Sequence, residues 1–285
     1  MITAKTIRLP LKAAERLLNI PSGVSLSQLA EVRLRAGRRA VLVTADGRRI
    51  PCEGALSRED IEECFEELCR HSVHSYAREI SEGYITLEGG HRAGFCGTAV
   101  IKDGRICTLK DISSINLRLA HEIKGCGEAL YHTAFSSGIR SLLIAGRPLS
   151  GKTTVLRDIT RLVGGKHRTA LIDSRNEIAA SSGGVPSLDV GENTDVLSGY
   201  PRYEGMMIAL RTLSPEVLVC DEIGSDINAI EQCADCGVKL IATVHAASFE
   251  ELDSNPVWRR LIPKFDCTAL LGGKGQTLGF REAAI

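Results

Sequence analysis

The pattern of apolar and polar positions changes character once along the chain. From Ser141 onward, short unbroken apolar runs alternate with amphipathic stretches: Leu142–Ala145, Thr169–Ile172, Val217–Cys220 and Leu240–Val244. Runs this short and this continuous fit strands buried on both faces, and helices between them give crossovers, so this half predicts a parallel sheet. Thr154–Leu162 places Val155, Ile159 and Leu162 on one helical face. Residues 128–140 predict a helix ending at Gly138.

The first half reads differently. Leu11–Ile20 has helical periodicity, and Leu26–Arg35 contains alternation at Val32 and Leu34. Ala40–Thr44 followed by Asp46-Gly47 predicts a strand and a hairpin turn. Ser57-Arg-Glu-Asp60 resembles a capping box shifted by one from its usual final Glu, opening a helix through about His74. Glu79–Gly83 leads into a strand over Tyr84–Leu87. Gly89-Gly90 makes a tight turn, and His91–Val100 is a second strand. Asp111–Ile123 alternates again, with Ile112, Ile115, Leu117 and Leu119 on the apolar side. Segregated strands and helices predict an α+β unit over residues 1–125. Lys124-Gly-Cys-Gly127 marks the boundary, and residues 126–285 form the second domain.

Composition narrows the picture. The chain has 285 residues, 44% hydrophobic and 25% charged, the balance of a soluble globular protein with room for two cores. Lys plus Arg equals Asp plus Glu, 35 against 35, so bulk electrostatic binding to nucleic acid has no support. Aromatics at 4% make a stacking surface for single strands a poor expectation. The first twenty residues do not read as a signal peptide, and no run approaches the ~20 apolar residues of a membrane span. The ten cysteines are scattered and predict reduced thiols in a cytoplasm. Cys233-x-x-Cys236 has no second pair at metal spacing and reads as two cysteines of one helix.

Candidate chemistry centres on Gly146-Arg147-Pro148-Leu149-Ser150-Gly151-Lys152-Thr153, which matches the P-loop spacing G-x-x-x-x-G-K-[ST] between an apolar strand and an amphipathic helix. Backbone N–H groups around Leu149–Lys152 can curl round phosphate oxygens, with the positive end of the following helix behind them. In that motif Lys152 reaches the β- and γ-phosphates, Thr153 offers its hydroxyl to Mg²⁺, and Thr154 continues the nucleotide-binding segment. Leu149 stands where many such loops have Gly, which predicts a stiffer loop.

Three more strand ends join it. Val217–Cys220 runs into Asp221 and Glu222, the first placed to hold Mg²⁺, the second to orient or deprotonate a water. Asp173 ends another strand and is followed by Arg175 and Glu177. Either it supplies a water-activating carboxylate, or Asp173–Glu177 opens the next helix, where acids suit the dipole. His245 ends a fourth strand and can sense a γ-phosphate or sit as a satisfied surface residue. Arg211 reads as a solvated helix charge. The P-loop half offers no obvious arginine in cis for the γ-phosphate.

Together GRPLSGKTT, LIDSRNE, VLVCDEIG and TVHAAS resemble, in order, the Walker A loop, Asp box, Walker B strand and His box of the type II and type IV secretion and pilus-motor ATPases. YITLEGGHRAGFCGTAV, DISSINLRLAHEIKGC, VPSLDVGENTDVL and the HSVHSY stretch are similar to a sporulation branch of that superfamily, so the likeness runs from about Glu31 to His245. It implies a RecA-like P-loop core with a PAS-like α+β N-domain, ATP and Mg²⁺ as ligands, and a homo-oligomeric, hexameric ring. It also implies a cytoplasmic protein held at the membrane by proteins of a sporulation secretion complex, energising an export channel between mother cell and forespore, with no nucleic acid involved. Lys152 and Thr153 would carry nucleotide and metal, Asp221 and Glu222 the Walker B role, Glu177 the Asp-box carboxylate and His245 the His box. Arg92 and Arg118 match the arginines these N-domains lend to a neighbouring subunit. Ser174 stands where the Asp box usually has an acid, leaving open how Asp173 and Glu177 divide the work. Two other readings compete: a ring scaffold that binds ATP with little turnover, and a RecA-like DNA motor, which charge and aromatic content disfavour.

Overall fold

Residues whose alternation predicts half-buried strands pair side by side in the first of two compact units, which runs up to residue 121; the second begins at 122. The structure, a computed structural model, describes residues 28–120, 122–181, 183–224 and 227–283, the side chains of Arg78 and Glu88 apart. The Leu11–Ile20 helix lies outside the described residues.

In the first unit six strands form a sheet of order β3-β2-β1-β6-β5-β4, each pair antiparallel. They are β1 (Leu29–Arg35), β2 (Arg39–Thr44), β3 (Arg49–Ala55), β4 (Tyr84–Thr86), β5 (Arg92–Lys102) and β6 (Arg105–Arg118). Val32, Leu34, Leu42, Ala93, Phe95, Ile115 and Leu117 are buried on one face. Helix α1 (Arg58–Leu68) buries Ile61, Cys64, Phe65 and Leu68 in the same core, and Phe65 meets Phe95 edge-on at 4.9 Å. Its capping box closes without any shift: Asp60 N–H donates to Ser57 Oγ, and Ser57 N–H donates to the Asp60 carboxylate. The helix stops at Leu68, short of His74, because Arg70 and His71 take left-handed backbone angles (φ 49° and 55°) that no α-helix continues through. A short helix, α2 (Ala77–Ser81), follows.

The second unit is a seven-stranded sheet of order β13-β12-β7-β11-β10-β8-β9. Its strands are β7 (Leu142–Gly146), β8 (Thr169–Asp173), β9 (Thr194–Ser198), β10 (Val217–Cys220), β11 (Lys239–His245), β12 (Cys267–Leu271) and β13 (Thr277–Glu282). All neighbours are parallel except the β12–β13 edge pair. Every residue of β7, β8 and β10 is buried, the consequence of helices on both faces. At roughly 1.5–3 kcal/mol per buried Val, Leu or Ile, these strands anchor the unit.

Five helices flank the sheet: α3 (Glu128–Ala134), α4 (Lys152–Gly164), α5 (Arg202–Thr212), α6 (Ile227–Asp235) and α7 (Phe249–Ser254), with α8 (Pro256–Leu261) beside α7. α3 ends at Ala134, earlier than Gly138, because Phe135 leaves helical geometry as its C-cap. On α4 the buried residues include Val155, Leu156, Ile159 and Val163; Leu162 is only half-buried, one position off the expected face. The expected strands are β7, β8, β10 and β11. β9, β12 and β13 are additional, and they widen the sheet at both edges. Cys233 is buried on α6 and Cys236 is exposed just past its end. Among the described residues no helix is long and apolar enough to cross a membrane, and no group of three His, Cys, Asp or Glu side chains is placed to hold a metal.

Candidate active site

Parallel strands deliver their last residues to one edge, and the register fixes which ones meet. Gly146 lies level with His245 on one side and Leu271 on the other, while Cys220, the residue before Asp221, lies level with Ile172, the residue before Asp173. Gly146–Lys152, Asp221, Glu222, Asp173 and His245 therefore gather at the same edge, where open α/β sheets bind ligands.

The loop from Gly146 to Lys152 turns through two left-handed residues, Leu149 (φ 64°) and Gly151 (φ 95°). Glycine adopts that geometry freely, whereas Leu149 costs about 1–2 kcal/mol and projects its side chain fully into solvent. One loop N–H is already engaged, as Ser150 N–H donates to Arg147 O at 3.2 Å. Lys152, only 5% exposed, donates from Nζ to Gly146 O (2.9 Å) and Arg147 O (3.0 Å) and contacts His245 Nδ1 at 3.1 Å. Burial pushes the Lys152 ammonium below its ordinary pKa, opposed by the charges of Asp221 and Glu222. The lysine can only donate, so His245 Nδ1 accepts and a neutral His245 carries its hydrogen on Nε2, which meets Glu222 Oε1 at 2.9 Å. Glu222 Oε2 in turn pairs with Arg175. Lys152, His245, Glu222 and Arg175 thus form one unbroken chain of contacts.

Asp221 and Glu222 are held by a threonine. Thr243, wholly buried on β11, donates its hydroxyl to Asp221 Oδ1 and accepts the backbone N–H of Glu222 at 2.8 Å. Thr153 Oγ donates to Asp221 Oδ2 at 2.8 Å, so the hydroxyl and carboxylate expected to share a cation already touch. Glu222 itself sits at φ 50°, a left-handed strain that the Thr243 contact and the β11 bond from Ile223 N–H to Thr243 O help to hold.

Asp173 is held by the residues that follow it. No helix opens after it: residues 174–181 form a turn, and the carboxylate accepts the N–H groups of Glu177 (2.9 Å), Ile178 (3.0 Å) and Ala179 (2.8 Å). Burial raises its pKa and the three N–H groups pull the other way. The half-buried guanidinium of Arg157, on α4, donates to the carbonyls of Glu177 and Ile178. Glu177 is held at both backbone ends and lines a small pocket with Asp173, Ser174, Arg175, Arg202, Asp221 and Glu222. Two arginines of the same unit stand beside the acids: Arg175 pairs with the Glu222 carboxylate, and Arg202 donates to the Asp221 backbone carbonyl at 3.2 Å. Arg202 begins a helix well away in sequence, so only the fold brings it here. Thr243 was within reach of sequence reasoning as the polar break in the run LIATVH. Arg211 is exposed and folds back on its own helix, donating to Met207 O.

Arg92 and Arg118 belong to the first unit. They stand directly opposite each other on β5 and β6, and Arg118 is also opposite Glu31 on β1. Arg92 lies over the Tyr84 ring at 3.6 Å, and Arg118 approaches the Glu31 carboxylate at 3.6 Å with its side chain 63% exposed.

The fold is shared with a solved ATPase and a solved pilus retraction motor. The Legionella pneumophila ATPase DotB superposes with a TM-score of 0.57 at 15% identity, over 86% of this chain and 72% of that one. The pilus retraction motor PilT with bound ADP gives 0.56 at 14% identity, over 85% and 74%. Identities this low establish the α/β P-loop fold alone. Sequence brings the relation closer: stage III sporulation protein AA of Bacillus subtilis is 35% identical over 242 residues, 82% of this chain and 78% of that protein. A family model described as "Sporulation stage III, protein AA" matches residues 5–277, nearly the whole length, and the chain belongs to that sporulation family.

Proposed function

We propose that the protein is an ATP-hydrolysing motor of the secretion type that works in sporulation. The observation that carries this is the join between the phosphate loop and the acids: Thr153 on Asp221, and Lys152 through His245 on Glu222. Thr153 and Asp221 would hold Mg²⁺, and the fit is sound, because an alcohol oxygen and a carboxylate oxygen already lie 2.8 Å apart where a hard cation needs oxygen donors. Bound there, Mg²⁺ neutralises charge on the nucleotide's phosphates. Lys152 would exchange its loop carbonyls for phosphate oxygens, a trade favoured by its partly desolvated charge. Glu222 would accept the proton of the attacking water as the new P–O bond forms and the bond to ADP breaks, leaving ADP and inorganic phosphate. Arg175 and His245 fix the two Glu222 oxygens, and His245 would report loss of its Lys152 contact directly to Glu222. Glu177, its backbone held by Asp173 and Arg157, lines the same pocket and is the alternative base.

The N-terminal unit and the ring belong to the same reading. Arg92 and Arg118, paired across two strands, would act on a neighbouring subunit's nucleotide in a hexamer, and membrane proteins of a sporulation export complex would be the partners. Likeness to the solved motors supports a ring, and neighbouring rigid strands suit the delivery of an arginine. The test is mass and turnover measured together with Mg-ATP. Assembly to a ring with ATP hydrolysis supports the motor; assembly with negligible turnover makes the protein a nucleotide-dependent scaffold.

A further inference from the structure

Beside the phosphate loop stands a second glycine-rich turn. Gly272-Gly273-Lys274-Gly275-Gln276 joins β12 to β13, closed by the Gly272 N–H donating to Gln276 O at 2.7 Å. Leu271 lies level with Gly146, so the turn leaves the sheet where the phosphate loop does. The two loops are joined backbone to backbone: Gly275 N–H donates to Ser150 O at 2.7 Å. Glycine is needed on both sides of the contact. A Cβ on Gly151 would lie 2.8 Å from Gly275 N, and one on Gly275 would lie 2.8 Å from Val155 Cγ2. Gly275 also has φ 76°.

At the tip of this turn is a charged residue in a conformation that glycine adopts more readily. Lys274 has φ 59°, and its carbonyl carbon would lie 3.4 Å from a Cβ on Gly151, the residue immediately before Lys152. Its side chain is exposed on a flexible four-carbon stem. Between the two loops, Ser150 Oγ is buried and has no hydrogen-bond partner, an unusual state for a buried hydroxyl. Lys152 is drawn inward onto the carbonyls of Gly146 and Arg147.

We propose that the 272–276 turn is a second phosphate-contacting element of the nucleotide site, with Lys274 binding phosphate oxygens of a nucleoside di- or triphosphate in cis. This rests on the nucleotide-binding reading of Lys152. A turn fastened to the phosphate loop holds the Lys274 backbone in place before binding, so that only the side chain's own rotamers remain to be ordered.

The experiment is equilibrium binding of a fluorescent ADP and a fluorescent ATP to wild type, Lys274→Ala, Lys274→Arg, Lys152→Ala and a charge control, Lys166→Ala, which lies past the far end of α4. Loss of a charge-assisted contact is expected to weaken both nucleotides by about tenfold or more in Lys274→Ala. Lys274→Arg should recover most of the affinity, Lys166→Ala should bind as wild type, and every melting temperature but that of Lys152→Ala should stay unchanged. If Lys152→Ala loses the nucleotides while Lys274→Ala binds them as wild type does, the turn contributes no contact and the inference is wrong. If Lys166→Ala weakens binding as much as Lys274→Ala, the effect is bulk charge and the inference is equally wrong. If Lys152→Ala itself binds normally, the phosphate-loop reading fails and takes the inference with it.

Discussion

Lys152 Nζ lies 3.1 Å from His245 Nδ1, and that contact joins the end of β11 to the phosphate loop before any ligand is considered. A lysine tied to two loop carbonyls and an imidazole is a cation held ready and largely dry. The cost of that arrangement is measurable. A lysine whose folded pKa lies below its ordinary 10.5 is costlier to keep charged in the fold than in the unfolded chain. The penalty is fully present below the folded pKa and fades as pH rises towards 10.5. Wild type should therefore gain stability relative to Lys152→Met as pH is raised from about 7 towards 10. Thermal melts of the two proteins across that range check it, and a wild type that loses stability relative to Lys152→Met as pH rises contradicts it.

Thr243 holds both Walker B acids through one hydroxyl. Thr243→Val keeps the shape but leaves the Glu222 N–H without its acceptor, at a cost of about 1–3 kcal/mol, and frees Asp221 Oδ1. Turnover should fall about tenfold or more, since misplacing catalytic groups is costly, and Thr243→Ser should restore it. A valine variant that turns over ATP as wild type does would show that the threonine is only packing.

Arg92 and Arg118 face each other across the strand pair of a separate unit, so their role in trans can be tested by mixing. Arg92→Ala and Lys152→Ala should each be inactive alone. A mixture should regain part of the wild-type turnover, because some interfaces then combine an intact Lys152 with an intact Arg92. A mixture as inactive as its components, or a doubly substituted Arg92→Ala, Arg118→Ala protein that hydrolyses ATP normally, rules against trans action.

The cysteines report on the fold. Cys96, Cys107 and Cys236 are exposed, Cys126 is half-buried, and Cys52, Cys64, Cys69, Cys220, Cys233 and Cys267 are buried. Burial pushes the thiols of Cys69 and Cys267 up to about 11 and that of Cys233 to about 12, so little thiolate is present to react. Ellman's reagent should titrate three thiols promptly, a fourth slowly and the remaining six only on unfolding. Prompt reaction of Cys233 or Cys267 would mean the parallel-sheet core is packed differently.

What could be read from the sequence was whatever is local. The phosphate loop announces itself because strand, turn and helix are contiguous, and β10 with Asp221 and Glu222 is one unbroken apolar run ending in acid. β12 carried the same signal in CTALL, whereas β9, reading TDVLS, has too few apolar positions to stand out. Asp173 eluded local reading because a strand-ending acid looks the same whether it faces solvent or gathers three N–H groups of its own turn. Arg157, Arg202 and the 272–276 turn act through contacts between segments far apart in sequence, and no spacing rule encodes those.

The central claim is that Glu222, held by Arg175 and His245, takes the proton of the attacking water. The direct test is steady-state ATP hydrolysis by wild type and Glu222→Gln, with nucleotide affinity measured on the same preparations. The amide keeps the shape but cannot serve as the base, so kcat should fall about a hundredfold or more while ATP binding stays near wild type. Undiminished hydrolysis by Glu222→Gln would contradict the assignment and move the base to Glu177.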